Sequence, residues 1–170
     1  MQANEIIGRL ERFPAVLRAV AACVREADAR WKPAPEHWSI LEVCAHVADE
    51  EREDFRPRLE ATLLGKPWPA LDLDKVAERR GYNRMNLEEV LTRFERQRAE
   101  NLAWLRTAAA ASRDWSIAHQ HPKFGPIRAG DLLSSWAAHD ALHLRQIAKR
   151  LHGLAARDGD GFSQAYAGEW

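Results

Sequence analysis

The stretch that most restricts the fold is LLSSWAAHDALHLRQIAKRLHG. Within it Leu132, Trp136, His139, His143 and Ile147 recur at steps of 4, 3, 4 and 4, which keep one face of an α-helix in register. A strand would send alternate residues to opposite faces of a sheet and scatter this set. The two histidines therefore point where the tryptophan and the leucine point. At i, i+4 their Cβ atoms stand about 5–6 Å apart, close enough for both rings to hold one ion. Two readings stand here: hydrogen-bonded histidines buried in a helical core, or two ligands of a metal.

The remainder of the chain follows the same helical periodicity, and no run of alternating β-branched residues is long enough for a sheet. A first helical region covers Asn4 to Trp31, kinked or restarted at Pro14, because proline removes a backbone donor and crowds the preceding turn. The two prolines of KPAPEH make Lys32 to His37 a loop. In WSILEV, Ser39 followed by Glu42 is a capping box, with Trp38 and Val43 placed as a hydrophobic staple. The helix it starts runs toward Leu64, kinks at Pro57 and stops at Gly65. After a loop from Lys66 to Asp74 and a partly helical connection, Asn86 caps a third helix. Its stripe is Leu87, Val90, Leu91, Phe94, Leu102 and Leu105, and it ends near Ala111. SRDWSIAHQHPKFGPIRAG is irregular. The fourth helix starts between Ala129 and Asp131 and stops at Gly153, a C′ glycine. The fold expected is all-α: a single four-helix bundle over residues 1–153 with long irregular connections, and a loosely held tail over 154–170.

Charge narrows the partners. In 170 residues, 25 basic side chains balance 25 acidic ones, which gives no concentrated basic surface for nucleic acid. No apolar run approaches the roughly 20 residues of a membrane span, and MQANEIIGRLERF lacks the basic start and apolar block of a secretory signal. Two cysteines, Cys23 and Cys44, are too few for a disulfide framework and read as small buried hydrophobes. The compartment expected is the cytoplasm.

HDALH is one methylene away from the HExxH signature of zinc peptidases. Asp140 is too short for the general base of that signature, and His152 lies two and a half turns past His143 and faces elsewhere, so the peptidase reading is set aside. Asp140 is read as a helix-surface charge in preference to a group behind a ligand. In the second helix, His46 shares its surroundings with Glu42, Asp49, Glu50 and Glu53. That cluster is either a solvated acidic face with an incidental histidine, or a third ligand with carboxylates to orient it and move protons. Glu50, one turn beyond His46, is the candidate catalytic residue for proton handling, against a plain surface carboxylate. Spacing alone cannot unite His46 with a pair 93 positions away. His37 is expected to be exposed, the histidine of HPKFG to tie its loop, and Trp136 to serve as core anchor and pocket wall.

HWSILEVCAHVADEE, HPKFGPI and WAAHDALHLRQIAKRLHG, in that order, resemble the DinB/YfiT-like superfamily of small metalloproteins from about Trp31 to Gly153. The W-S-x-x-E-x-x-x-H and H-x-x-x-H-x-x-Q-I blocks carry the resemblance. It implies a four-helix bundle in which His46, His139 and His143 bind a divalent metal, zinc or nickel, with Gln146 matching the glutamine after the last ligand. Three neutral imidazoles with a position left open are catalytic-type coordination. Characterised relatives imply a metal-dependent enzyme that activates a low-molecular-weight thiol toward a small electrophile, as thiol S-transferases do. Hydrolysis by a metal-activated water is the runner-up, and a non-catalytic, stress-related metal-binding bundle is the alternative from another class. The expected partner is a small-molecule substrate, with no nucleic acid and no membrane, and the resemblance implies a homodimer.

Overall fold

The computed structural model describes residues 2–110 and 114–168. Four long helical segments make the bundle: α1 (Ala3–Ala21), α3 (Ile40–Glu53) continued by α4 (Phe55–Leu63), α6 (Leu87–Ala110) and α7 (Ala129–Asp158). Two short helices, α2 (Glu26–Ala29) and α5 (Val76–Arg79), lie in the connections. Helix α1 packs on α6 and α7, α3 packs on α6 and α7, and α4 packs on α7. No helix among the described residues is long and apolar enough to cross a membrane.

The Ser39 capping box forms as its spacing demands. Ser39 Oγ accepts the Glu42 N–H at 3.1 Å, and Glu42 Oε2 accepts the Ser39 N–H at 2.8 Å. Asn86 Oδ1 accepts the Glu89 N–H at 3.0 Å and starts α6; the expected end near Ala111 lies outside the described residues. The second helix stops at Gly65 (φ 62°), where Lys66 N–H reaches the Ala61 carbonyl at 2.8 Å and Gly65 N–H the Thr62 carbonyl at 3.1 Å. That is the Schellman pattern, and glycine takes the left-handed position at no steric cost.

Prolines act differently from the simplest expectation. Pro14 sits inside α1 without breaking it. The carbonyl it leaves without a helical partner is that of Leu10, four residues earlier, and Arg98 Nη1 donates to that oxygen at 2.9 Å. Pro57 instead falls in the first turn of α4, where a missing donor is tolerated, and the break lies at Asp54 (φ −116°, ψ −84°). The first helix stops at Ala21 rather than continuing to Trp31, with α2 as a separate turn.

Two further expectations are corrected. Gly153 does not end the last helix, which continues to Asp158. A Cβ at Gly153 would meet the Trp31 ring at 3.1 Å, so the glycine serves a close approach rather than a cap. The segment between α6 and α7 also contains a two-stranded antiparallel hairpin, β1 (Ala118–His121) with β2 (Gly125–Arg128), too short for an alternation signal. His121 Nδ1 accepts the backbone N–H groups of Lys123 and Phe124 at 3.1 and 3.2 Å, tying that turn as expected. The hairpin leads into α7, whose first amides bond to the carbonyls of Ile117 and Trp115 at 2.8 and 2.9 Å.

The apolar core divides into two clusters. One gathers Leu17, Leu41, Val47, Phe94 and Ile147; the other gathers Leu10, Phe55, Leu59, Leu105, Leu133 and Trp136. Between them on three helices fall Glu51, Arg98 and Asp140, all buried. Arg98, 0% exposed, donates Nε and Nη2 to Glu51 at 2.9 and 2.7 Å, Nη1 and Nη2 to Asp140 at 2.8 and 2.9 Å, and Nη1 to Leu10. All five N–H donors of the guanidinium are used. Glu51 also accepts from Asn101 Nδ2 at 2.9 Å and Trp136 Nε1 at 2.8 Å. Asp140 is thus a buried ion-pair member, not the helix-surface charge expected for it.

Removing the cation from this layer strands two buried carboxylates and one carbonyl. Arg98→Met is expected to cost about 3–5 kcal/mol of stability, read from the urea midpoint. A loss below about 1 kcal/mol would show that the layer tolerates losing its cation.

Candidate metal centre

His46 lies in α3, about two turns past the Ser39 cap, while His139 and His143 lie one turn apart on α7. The bundle brings them together: one ring nitrogen from each lies within 4.8 Å of the others. Nε2 of His139 and Nε2 of His143 are 3.0 Å apart. The ring centroids of His46 stand 5.6 Å from His139 and 4.8 Å from His143.

Apolar walls enclose the cluster. The Trp38 ring meets His46 edge-on at 4.9 Å, Phe55 meets His139 at 5.0 Å, and Trp136 stacks on Phe55 with rings 5.6 Å apart. Trp136 therefore is core anchor and second layer of the pocket wall together. The break at Asp54 places Phe55 at the start of α4.

Burial sets the charge state of the rings. It pushes His46 down to about 4, helped by the neighbouring His143, and His139 down to about 3, helped by both histidines and by Arg98. His143 is lowered by burial against the opposing hydrogen bond of Gln146. All three are neutral imidazoles at pH 7, the form in which histidine binds a metal. Gln146 Oε1 lies 3.0 Å from His143 Nδ1; the amide oxygen accepts a hydrogen bond from Nδ1–H, which puts the lone pair of that ring on Nε2, facing His139. His46 Nδ1 is buried with no hydrogen-bond partner. An orphaned ring nitrogen, two facing Nε2 atoms and an all-imidazole donor set suit a divalent first-row ion.

The acidic cluster of α3 is not a solvated face. Glu42, Asp49 and Glu50 are buried, and Glu53 is half-buried and paired with Arg80 at 2.7 Å. Glu42 pairs with Lys32 at 3.1 Å. Asp49 accepts Tyr82 Oη at 2.7 Å and pairs with Arg80 and Arg93 at 2.5 and 3.0 Å, pinning the connection before α6 onto α3. Glu50 is different: its Oε1 lies 3.7 Å from His46 Nδ1, and burial, then its hydrogen bond to Asp54, hold its carboxyl well above the usual range. It keeps a proton at neutral pH. Asp54 in turn pairs with Arg58 at 2.8 Å.

The hairpin histidines and the two cysteines are not part of the cluster. His119 stacks on Trp68 at 4.4 Å, and His37 is exposed as expected. Cys44 is a small buried residue whose thiol burial pushes up to about 12, so it is no nucleophile; Cys23, expected to be buried, is exposed. Spacing missed Arg98 and Arg150, although both sit at stripe positions of their helices, four residues past Phe94 and three past Ile147. A charge in an apolar stripe was the available signal.

Above His139 and His143, a cavity of about 660 Å³ opens along α7, with Leu142, Arg145, Gln146 and Lys149 on its walls. A smaller one of about 310 Å³ lies on the other side of His143.

The profile of the DinB superfamily matches residues 9–147. Among solved structures, YfiT from Bacillus subtilis, described as a probable metal-dependent hydrolase with an unusual four-helix bundle topology, superposes with a TM-score of 0.76. Its identity is 19%, over 93% of this chain and 88% of that one. TT2238, a four-helix bundle protein, superposes with a TM-score of 0.61 at 25% identity, over 87% of this chain and 99% of that one. No curated protein matches the chain.

The depressed histidines fix a sign for acid stability in the metal-free chain. The unfolded state protonates His139 near its ordinary value of 6.5, whereas the folded state resists until about 3. Stability contributed by the neutral ring is therefore present above about pH 6.5 and is lost as pH falls below it. With a chelator present, lowering the pH from about 6.5 to about 5 is expected to destabilise the wild type relative to His139→Gln by about 2 kcal/mol, read from urea midpoints. A gap constant with pH would mean that the ring titrates normally.

Proposed function

The chain belongs to the DinB superfamily, and from that footing we propose that it is a metal-dependent enzyme acting on a small electrophile through a three-histidine centre. His46, His139 and His143 would hold the ion; imidazole donors suit several divalent first-row metals, and the family resemblance points to zinc or nickel among them. The observation that carries this reading is the convergence of three burial-neutralised imidazoles from two helices beside an open cavity. When bound, such an ion lowers the pKa of a coordinated thiol or water and polarises a carbonyl.

The chain's own residues account for the rest. Gln146 holds the His143 tautomer. Trp38 and Phe55 keep water from the sides of His46 and His139. Glu50 carries a proton 3.7 Å from His46 Nδ1, where it can steady that ring or exchange the proton with a reacting group. Transfer of a low-molecular-weight thiol is the first reading, on the strength of the two histidine motifs. Hydrolysis is the second, favoured by the held proton of Glu50 and by the description of YfiT. A purely structural ion is disfavoured by the cavity, since structural sites are closed. We also propose a cytosolic homodimer with a small-molecule substrate, as the resemblance implies.

Metal analysis after reconstitution with zinc or nickel is expected to give one ion per chain. His46→Ala, His139→Ala and His143→Ala are each expected to weaken uptake by at least about tenfold, as is Gln146→Leu through loss of the ring's orientation. Normal uptake by His46→Ala would rule out the three-histidine centre. In cobalt-loaded protein a sulfur-to-metal absorption band on adding thiols supports transfer; no band, with ester cleavage that needs the metal, supports hydrolysis.

A further inference from the structure

Among the described residues the buried charges are paired, with one exception. Arg98 has Glu51 and Asp140, Glu42 has Lys32, and Asp49 has Arg80 and Arg93. Glu50 avoids the problem by keeping its proton. Arg150 does neither. It is 6% exposed, yet among the described residues it forms no ion pair. Its Nε donates to the Trp38 carbonyl at 2.7 Å, and among the described residues neither terminal nitrogen has a hydrogen-bond partner. A guanidinium cannot shed its charge as a carboxyl can, so the terminal nitrogens remain charged donors facing a recess. Burial alone, with no acid opposing it, lowers its pKa.

Arg150 lines the cavity of about 310 Å³ that also reaches Trp38, His46, His143 and Gln146, with Glu36 and His37 at the exposed side. A planar fork of unused donors in such a recess matches a carboxylate or another oxyanion. On the far side of His143, Arg145 and Lys149 line the wider cavity, are exposed, and form no ion pair among the described residues. The approaches to the histidine cluster are therefore predominantly cationic and attract anions.

From the unpaired fork of Arg150 in the recess shared with His46 and His143, we infer that the substrate or co-substrate is an anion whose carboxylate docks on Arg150 while its reactive end lies at the histidine centre. This rests on the proposed metal chemistry only for what happens at that reactive end. Docking of the anion at Arg150 stands on the recess and on the terminal guanidinium donors left unpaired among the described residues.

The test has two arms and uses three small thiols: mercaptosuccinate, an anion with carboxylates at two distances from sulfur, neutral mercaptoethanol and cationic cysteamine. In the metal-free protein, Arg150 Nε–H is followed by NMR; only mercaptosuccinate is expected to shift it. In the cobalt-loaded protein, the sulfur-to-metal band is titrated. Mercaptosuccinate is expected to bind at least about tenfold more tightly than mercaptoethanol. Arg150→Gln should abolish that preference with cobalt uptake and mercaptoethanol affinity unchanged, and Arg150→Lys should keep part of it. No carboxylate-specific shift in the first arm overturns the inference, and needs no variant to fold. A shift there with a flat charge series on loaded protein overturns the claim that one molecule spans both sites. Failure to take up cobalt, with the Arg150 shift present, overturns the metal reading and leaves the anion site standing.

Discussion

The structure depends on the five-bonded guanidinium of Arg98. Placed in α6, it joins the Leu10 carbonyl of α1, Glu51 of α3 and Asp140 of α7. Hydrophobic contact between helices is non-directional and tolerates sliding, whereas two carboxylates and a carbonyl held at 2.7–2.9 Å do not. The same residue also resolves the proline in α1, because the oxygen that Pro14 leaves bare is the one Arg98 takes. A sequence that looks locally strained is thus satisfied by a partner 88 positions away.

The histidine cluster stands on that frame. Asp140 follows His139 directly, and Glu51 stands five residues past His46, so the polar layer fixes both helices beside their cluster residues. Burial then does two kinds of chemical work from one cause. It disfavours charge on the imidazoles, which keeps their lone pairs available, and disfavours charge on Glu50, which keeps a proton nearby. Neutral bases and a neutral acid coexist within a few ångströms because neither can afford ionisation without solvent.

What could be read beforehand follows the range of each signal. Capping at Ser39 and Asn86, the stop at Gly65 and the pairing of His139 with His143 are local, set within a few residues, and could be read from the chain. The arrival of His46 beside that pair needed a family resemblance, since periodicity describes one helix at a time. Gly153 looked like a helix end because its cause, the Trp31 ring, lies on another element. Asp140 looked like surface charge for the same reason: its partner is 42 positions away. The hairpin escaped notice because four-residue strands bearing proline and histidine show no alternation.

The spacing between the polar layer and the histidines ties helix register to the cluster. On α3 and on α7 a cluster histidine and a layer carboxylate belong to the same rigid rod. A helix docked one residue out of register would rotate by about 100° and misplace both at once, facing apolar side chains with an unmatched carboxylate. One error of register therefore forfeits the polar layer and the histidine cluster together, and the alignment that satisfies the buried charges is the one that gathers the three rings.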